Sequence, residues 1–226
     1  MPLWNILLKR FGKRRVLTFI SGCAFITLSL FFFLGQKIKS VEIPSVELMD
    51  GDIIFQASDS EQAGTMKILA GGTYNHAGIL FRKGSAYYVY EASQPVKMTL
   101  MANWIKNGEN GRYVVKRLKD AGKILSAGVI DKMKDLSEQH KGKDYDNFYE
   151  WSDERMYNAE LIWKIYKESA GIELSRPEHL KDFNLSDTVI VKNLKEHFGR
   201  HLPLNEPVVS TPAIFESGYL ITVIQN

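Results

Sequence analysis

The sequence YNHAGILFRKGSAYYVYEAS, residues 74–93, gives the clearest local signal of secondary structure in the chain. It holds two runs rich in β-branched and aromatic residues, 75–82 and 86–92, separated by Lys83-Gly84-Ser85. Two such runs joined by a short connection that contains glycine predict a β-hairpin. Strand alternation then places His76, Gly78 and Leu80 on one face of the first strand and Ala77, Ile79 and Phe81 on the other.

The predicted hairpin brings a histidine close to a carboxylate. Pairing across the turn puts His76 opposite about residue 92, so a small register shift places Glu91 within reach of its face. A carboxylate that accepts the N–H of a histidine fixes the ring tautomer and raises its basicity, as a general base requires. The same pattern is typical of a half-buried histidine on an edge strand, and spacing alone favours that second interpretation.

Weaker signals on both sides of the hairpin predict an α+β fold. A turn at Asp50-Gly51 precedes a predicted strand over Ile53–Gln56, and Gly71-Gly72 ends a short predicted helix over residues 58–70. The other predicted elements are a strand at 111–118, a helical region from Ala121, a helix from Asn158 to Ala170, a short helix between 183 and 199, and strand-like segments at 207–209 and 219–224. A small antiparallel sheet from the first half of the chain is therefore expected to pack on helices that come largely from the second half.

The N-terminal segment is typical of a membrane anchor. Residues 16–35, VLTFISGCAFITLSLFFFLG, carry no charge, and about 20 apolar residues are what a helix needs to span a bilayer core. Five basic residues precede this run and two follow it, so the positive-inside rule predicts a cytoplasmic N-terminus. The predicted organisation is a basic cytoplasmic leader at 1–15, a transmembrane signal anchor or signal peptide at 16–35, a linker at 36–49 and a folded domain at 50–226. This organisation predicts a membrane protein whose body lies on the far side of the membrane from the cytoplasm. For a bacterial protein that membrane is the inner membrane, with the body in the periplasm or outside the cell.

Two alternatives to an anchor stay open for the same segment. A cleaved secretory peptide is one, although no small-x-small cleavage site follows the apolar run. The other comes from Ile20-Ser21-Gly22-Cys23, which resembles the lipobox at which bacterial lipoproteins are lipidated on cysteine. The apolar run before Cys23 is short and continues well beyond it, so the anchor is the favoured interpretation.

The distribution of charge argues against a nucleic-acid partner. The formal net charge is +3, but seven of the 29 basic residues and none of the 26 acidic ones lie in residues 1–39. The remainder is therefore acidic, whereas nucleic-acid binding calls for a basic face.

Cysteine and histidine spacing predicts no metal or cofactor site. Cys23 is the only cysteine, so the body has no disulfide, no thiolate metal ligand and no cysteine nucleophile. His197 and His201 are four residues apart, as metal ligands on one helix face can be. However, no glutamate follows His197, and Gly199 lies between the two, so a solvated helix end is the favoured interpretation.

The stretch DERMYNAELIWK, residues 153–164, marks the start of a helix. Polar residues give way at Asn158 to a run with apolar residues at helical spacing. Asparagine is a good N-cap because its side chain can accept backbone N–H groups of the first turn. Local physics therefore predicts that Asn158 caps this helix, and Gly171 stands where a helix C-terminus prefers glycine.

Five segments together resemble the YiiX/YaeF group of circularly permuted, papain-like cysteine hydrolases of the NlpC superfamily. They are GDIIFQAS, YNHAGILF, YEASQPVKMTLMANWIKNGENGRYVVKRL, YDNFYEWSDERMYNAELIWKIY and NEPVVSTPAIFES. The resemblance extends from about Asp50 to the C-terminus and implies a permuted papain-like, NlpC-type fold. It also implies an active site in which His76 comes from one strand, its polar partner Glu91 comes from the next strand, and a cysteine nucleophile comes from a helix N-terminus.

At the nucleophile position this chain has Asn158, within a motif whose flanking Tyr157, Glu160, Leu161 and Trp163 fit. An asparagine side chain has no ionisable nucleophile, so covalent catalysis of the family kind is not expected. The first hypothesis is a catalytically impaired homologue that binds a peptide, a peptidoglycan fragment or an acyl-amide in the former cleft. An active amidase or peptidase, with Asn158 introduced by engineering or bypassed by another route, is the second. The third is a non-catalytic envelope protein that interacts with other proteins.

Overall fold

An antiparallel sheet organises the part of the chain that the computed structural model describes, residues 47–58 and 61–226. Its six strands are β1 (Ile53–Gln56), β2 (His76–Lys83), β3 (Ala86–Glu91), β4 (Lys97–Leu100), β5 (Val114–Leu118) and β8 (Leu220–Gln225), in the spatial order β4-β3-β2-β1-β5-β8. A second, two-stranded sheet pairs β6 (Glu178–His179) with β7 (Pro207–Val208). The predicted antiparallel sheet is thus confirmed.

Seven helices accompany these strands in the described residues. They are α1 (Glu61–Ala70), α2 (Met101–Lys106), α3 (Ala121–Ile124), α4 (Ala127–His140), α5 (Asn158–Ala170), α6 (Thr188–Phe198) and α7 (Thr211–Phe215), with 3₁₀ turns at Glu109–Gly111 and Leu180–Asp182. The helical region predicted from Ala121 is divided into α3 and α4, because Ser126 starts a new helix by accepting a hydrogen bond from Val129 N at 3.4 Å.

The predicted hairpin is confirmed, with β2 and β3 paired from Ile79↔Tyr90 to Lys83↔Ala86.

The prediction that the sheet comes from the first half of the chain is incomplete. The C-terminal strand β8 pairs with β5 at one edge, and Leu220 and Ile224 of β8 are buried there. Pairing between strands about 100 residues apart leaves no local signal, so the sequence predicts the strand but not its neighbour.

Both faces of the sheet are covered. On one face Phe55, Ile79 and Tyr90 belong to a core shared with Ile162 and Ile165 of α5. The opposite face carries His76 and Gly78, as the alternation predicts, and α2 packs over β3 and β4 on this side with Met101, Trp104 and Ile105 buried. Helix α5 and strand β2 are in direct contact, which brings the start of the helix to the end of the strand.

The start of α5 differs from the prediction. Tyr157, not Asn158, is the N-cap, with an extended backbone and no side-chain capping bond. Asn158 is the first helical residue, and its side chain turns away from the helix backbone because it has partners on the sheet. The C-terminus is as predicted, since Gly171 adopts a left-handed conformation with φ 71°.

Nothing in residues 47–58 and 61–226 forms a helix both long and apolar enough to cross a membrane. The predicted leader at 1–15, the predicted anchor at 16–35 with Cys23, and most of the predicted linker lie outside the described residues.

Candidate active site

His76 and Glu91 are in direct contact at one end of the β2–β3 pair. His76 is the first residue of β2, Glu91 is the last of β3, and Nε2 of the histidine lies 2.6 Å from Oε2 of the carboxylate. Gly78 allows the two strands to approach here, because a Cβ atom at this position would lie 2.4 Å from Val89 Cγ1 and 2.7 Å from the Tyr90 carbonyl oxygen. The pairing predicted from the hairpin is thus present as a hydrogen-bonded dyad.

Two further donors hold the Glu91 carboxylate. Thr99 Oγ1 donates to Oε1 at 2.5 Å, and Trp104 Nε1 donates to Oε2 at 2.9 Å. Burial alone would raise the pKa of Glu91, but the hydrogen bonds and charge of His76, with these two donors, outweigh it and lower the pKa. Glu91 is therefore a carboxylate in spite of its burial.

Trp104 also fixes the orientation of the histidine ring. Its ring stacks on that of His76 with centroids 5.5 Å apart and an interplanar angle of 25°. The sequence analysis missed both Thr99 and Trp104, although the segment that holds them was part of the resemblance. They follow Glu91 by eight and 13 residues, and only the return of β4 and α2 over the sheet brings them back to it.

Asn158 completes the cluster from the helix side. The amide satisfies all of its neighbours when Nδ2 donates to the carbonyl oxygens of Ala92 (2.6 Å) and Ala77 (3.2 Å) and Oδ1 accepts from His76 Nδ1 (3.0 Å). The first residue of α5 is thus bonded to the backbone of both strands of the hairpin and to the histidine between them. His76, Glu91 and Asn158 converge in the way that the resemblance implies.

In this arrangement both nitrogens of His76 face acceptors. Glu91 Oε2 lies at Nε2, and Asn158 Oδ1 lies at Nδ1. A neutral imidazole can donate from only one nitrogen, whereas an imidazolium donates from both. The geometry therefore suits an imidazolium–carboxylate ion pair, which has no free lone pair with which to take a proton from water.

The three side chains are almost closed off from solvent. His76 is 8%, Glu91 5% and Asn158 3% exposed. A buried ion pair is tolerated only when its remaining donors and acceptors are also satisfied. Thr99, Trp104 and Asn158 provide those bonds here, so the hydrogen bonding of the cluster is complete.

Glu160, two residues beyond Asn158, is a fully buried carboxyl that the sequence analysis named only as part of the motif. Lys164 Nζ lies 2.9 Å from Oε1, but neither carboxyl oxygen makes a well-oriented hydrogen bond within the described residues. Lys164 itself donates to Ser152 O (2.6 Å) and Asp153 Oδ1 (2.8 Å). Burial raises the pKa of Glu160 to about 8, because the charge of Lys164 offsets it only in part. These contacts tie α5 to the loop that precedes it.

His197, considered together with His201 as a metal ligand, has other partners. His197 stacks on Phe148 with centroids 3.7 Å apart, and its Nε2 lies 3.5 Å from Glu150 Oε1. Across 47–58 and 61–226, no three or more His, Cys, Asp and Glu side chains are placed to hold a metal ion together.

Comparisons with known proteins match most of the chain. Residues 47–224 match the sequence model of a family described as permuted papain-like amidase enzymes, YaeF/YiiX, C92. The chain is 39% identical over 176 residues to an Escherichia coli K12 protein described as uncharacterized protein YiiX, covering 78% of this chain and 86% of that protein. A crystal structure described as metalloprotein yiiX from Escherichia coli O157:H7, DUF1105, is similar with a TM-score of 0.70 at 38% identity, over 79% of this chain and 97% of the other.

Proposed function

The chain belongs to the YaeF/YiiX family of permuted papain-like amidases, and we propose that it is a catalytically impaired member that binds an amide ligand in the former active site. The ligand classes that fit this family chemistry are a peptide, a peptidoglycan fragment and an acyl-amide. One observation carries the proposal: the residue that contacts His76 from the helix N-terminus is Asn158, with Oδ1 3.0 Å from Nδ1.

The chemistry of that contact argues against a covalent mechanism. A helix N-terminus beside an imidazolium lowers the pKa of a cysteine and stabilises the thiolate that attacks a carbonyl. The nitrogen of an asparagine amide is not a nucleophile, because its lone pair is delocalised into the carbonyl group. In this site the nitrogen is also engaged by Ala77 O and Ala92 O. The acyl-enzyme step therefore has no attacking atom.

An active amidase that uses water is the second candidate, and the intact His76–Glu91 dyad favours it. A histidine paired with a carboxylate is the usual general base for such a reaction. The hydrogen bonds of His76 to both Glu91 and Asn158 count against it, since neither ring nitrogen is free to take a proton from a water molecule. The first proposal therefore fits the geometry better.

Metal-assisted hydrolysis does not enter the proposal. One similar structure is described as a metalloprotein, but within the part of this chain that the structure describes no cluster of ligand side chains suits a metal ion. The dyad itself offers one imidazole and one carboxylate, and both are already hydrogen-bonded.

The test measures binding and hydrolysis on the same samples. The full chain in detergent is titrated by calorimetry with muramyl dipeptide and with an N-acylated dipeptide amide, and products are followed by mass spectrometry. Binding without product, weakened by His76→Ala, supports the proposal. Turnover that His76→Ala abolishes supports the active amidase instead, and absence of binding to both compounds contradicts the amide-binding role and favours an envelope protein that interacts with other proteins.

We further propose that residues 16–35 anchor the protein in the bacterial inner membrane with the body on the far side from the cytoplasm. The support is the uncharged run of 20 residues and its basic flanks. Protease added to spheroplasts is expected to digest the body while a cytoplasmic marker survives. The mass of the mature chain distinguishes an intact anchor, a cleaved signal peptide and a lipidated Cys23. The substitution Cys23→Ser is expected to abolish only the lipidated form.

A further inference from the structure

Three polar or amphipathic side chains lie in a row across neighbouring strands on the face of the sheet that carries His76. Gln56 of β1 pairs directly with His76 of β2, so their side chains project to the same face. On the other side of β1, Phe55 pairs with Val114, which places Tyr113 next to Gln56 at the following position. The row Tyr113, Gln56 and His76 therefore continues the site away from Glu91.

Gln56 and Tyr113 are buried and incompletely bonded. Gln56 is 1% and Tyr113 0% exposed. Among the described residues, neither Gln56 Oε1 nor the Tyr113 hydroxyl has a hydrogen-bond partner. Native proteins satisfy the large majority of such atoms, so two unpartnered atoms on adjacent residues of neighbouring chain segments, beside the His76–Glu91 dyad, call for an explanation.

The two unpartnered groups, Gln56 Oε1 and the Tyr113 hydroxyl, offer different hydrogen bonds to a ligand. Burial raises the pKa of Tyr113, so its hydroxyl keeps its proton and remains a donor. Gln56 Oε1 is an acceptor. A donor and an acceptor on adjacent residues complement the carbonyl oxygen and the N–H of one amide group.

The cover over Gln56 is a turn rather than a packed helix. Residues Asn107–Gly111 connect α2 to β5 and are held to β1 by the bond from Glu109 N to Ala57 O (2.9 Å). Gly108 lies against the Gln56 amide, and a Cβ atom there would come within 2.4 Å of Oε1. Asn107, Glu109 and Asn110 are exposed, so this turn is the part of the cover that a ligand has to displace.

We propose that Gln56 and Tyr113 form an amide-recognition subsite beside His76, in which Tyr113 donates to the ligand carbonyl and Gln56 accepts its N–H. This inference rests on the proposed function, since it assigns residues to the recognition of the amide ligand. It extends the site from the β2–β3 hairpin to the end of β1 and to the residue that precedes β5.

The test uses the full chain as Cys23→Ser/Asn158→Cys, so that the only thiol stands at the site. Two iodomethyl ketone probes have the same reactive end and no amide within it: 5-iodo-4-oxopentanamide ends in an amide, and methyl 5-iodo-4-oxopentanoate ends in an ester that lacks the N–H. Saturation kinetics give an apparent affinity for each probe. In this parent the amide probe is expected to bind more tightly than the ester.

Gln56→Leu is expected to lower the apparent affinity for the amide probe about tenfold and to leave that for the ester probe unchanged, because only the amide probe can donate an N–H to Gln56. Tyr113→Phe is expected to lower the apparent affinity for both probes to a similar extent, because both retain the carbonyl oxygen that accepts from Tyr113. Tyr149→Phe is the matched control, since it also removes a buried hydroxyl without a partner in the described residues but lies outside the row.

The thermal unfolding midpoint separates recognition from structure. Gln56 Oε1 and the Tyr113 hydroxyl make no hydrogen bond within the described residues, so their removal breaks none. Neither Gln56→Leu nor Tyr113→Phe is therefore expected to lower the midpoint. Equal affinities for amide and ester in the parent, or variants that lower the midpoint while changing neither affinity, would overturn the subsite. These results are independent of whether the unmodified chain hydrolyses amides, so failure of the proposed function is recognised separately.

Discussion

Asn158 Oδ1 and His76 Nδ1 are 3.0 Å apart, and this contact lies at the opposite nitrogen of the ring from the 2.6 Å contact with Glu91. The resemblance to cysteine hydrolases assigns the nucleophile to this position, and a cysteine sulfur placed there would face the same imidazole. Because the amide also donates to the Ala77 and Ala92 carbonyl oxygens, the site is a closed hydrogen-bond network. The consequences can be measured one residue at a time.

Asn158→Cys is expected to give a thiol of unusually low pKa. The sulfur would face His76, whose other ring nitrogen is bonded to Glu91, at the first residue of α5 where the helix dipole favours a negative charge. The rate of alkylation by iodoacetamide, measured against pH in the Cys23→Ser background, should reach its plateau below pH 7. A midpoint near 8.5, the value of an ordinary cysteine, would contradict the assigned geometry.

Asn158→Ala is expected to destabilise the fold by about 1–3 kcal/mol, because the Ala77 and Ala92 carbonyl oxygens and His76 Nδ1 lose their partner together. Urea denaturation of the body measures the change. Asn193→Ala provides the control, since Asn193 is an exposed asparagine on α6, and its effect should stay within about 0.5 kcal/mol. Equal effects of the two substitutions would show that the Asn158 network is not formed.

Glu91→Gln is expected to destabilise the protein at neutral pH and to have a smaller effect in acid. The pKa of Glu91 lies below its ordinary value of 4.5 in the folded state, so its stabilising contribution is present above that value. The contribution is lost as the pH falls through the lower, folded-state pKa. Stability curves for both proteins between pH 3 and 7 should therefore converge at the acid end, and a constant separation would argue against an ionised Glu91.

Glu160→Gln is expected to change the pH dependence in the opposite sense. The folded pKa of Glu160 is raised to about 8, so the unmodified protein loses stability as the pH rises from the ordinary value of 4.5 to about 8. The glutamine variant lacks this loss, and its stability relative to the parent should increase over that range and then level off. Denaturation measured from pH 5 to 9 checks this, and a difference that does not vary with pH would mean that Lys164 keeps Glu160 ionised.

The part of the site that lies on the hairpin could be predicted from the sequence, because alternation and a short turn fix which face each residue takes. His76 and Glu91 meet for that reason. Asn158 was assigned by resemblance alone, and local capping preference gave the wrong role for it, since tertiary partners on β2 and β3 outcompete the helix backbone. Neither Thr99 nor Trp104 could be predicted, because contacts between α2, β4 and Glu91 depend on how distant elements return to the sheet.

Hydrolysis by the unmodified chain and by Asn158→Cys, measured side by side on the same N-acylated dipeptide amide, tests the central claim most directly. The account predicts no turnover for the unmodified chain and a covalent acyl-enzyme followed by product for the cysteine variant, with both lost in Asn158→Cys/His76→Ala. Turnover by the unmodified chain at a rate equal to that of the cysteine variant would contradict it.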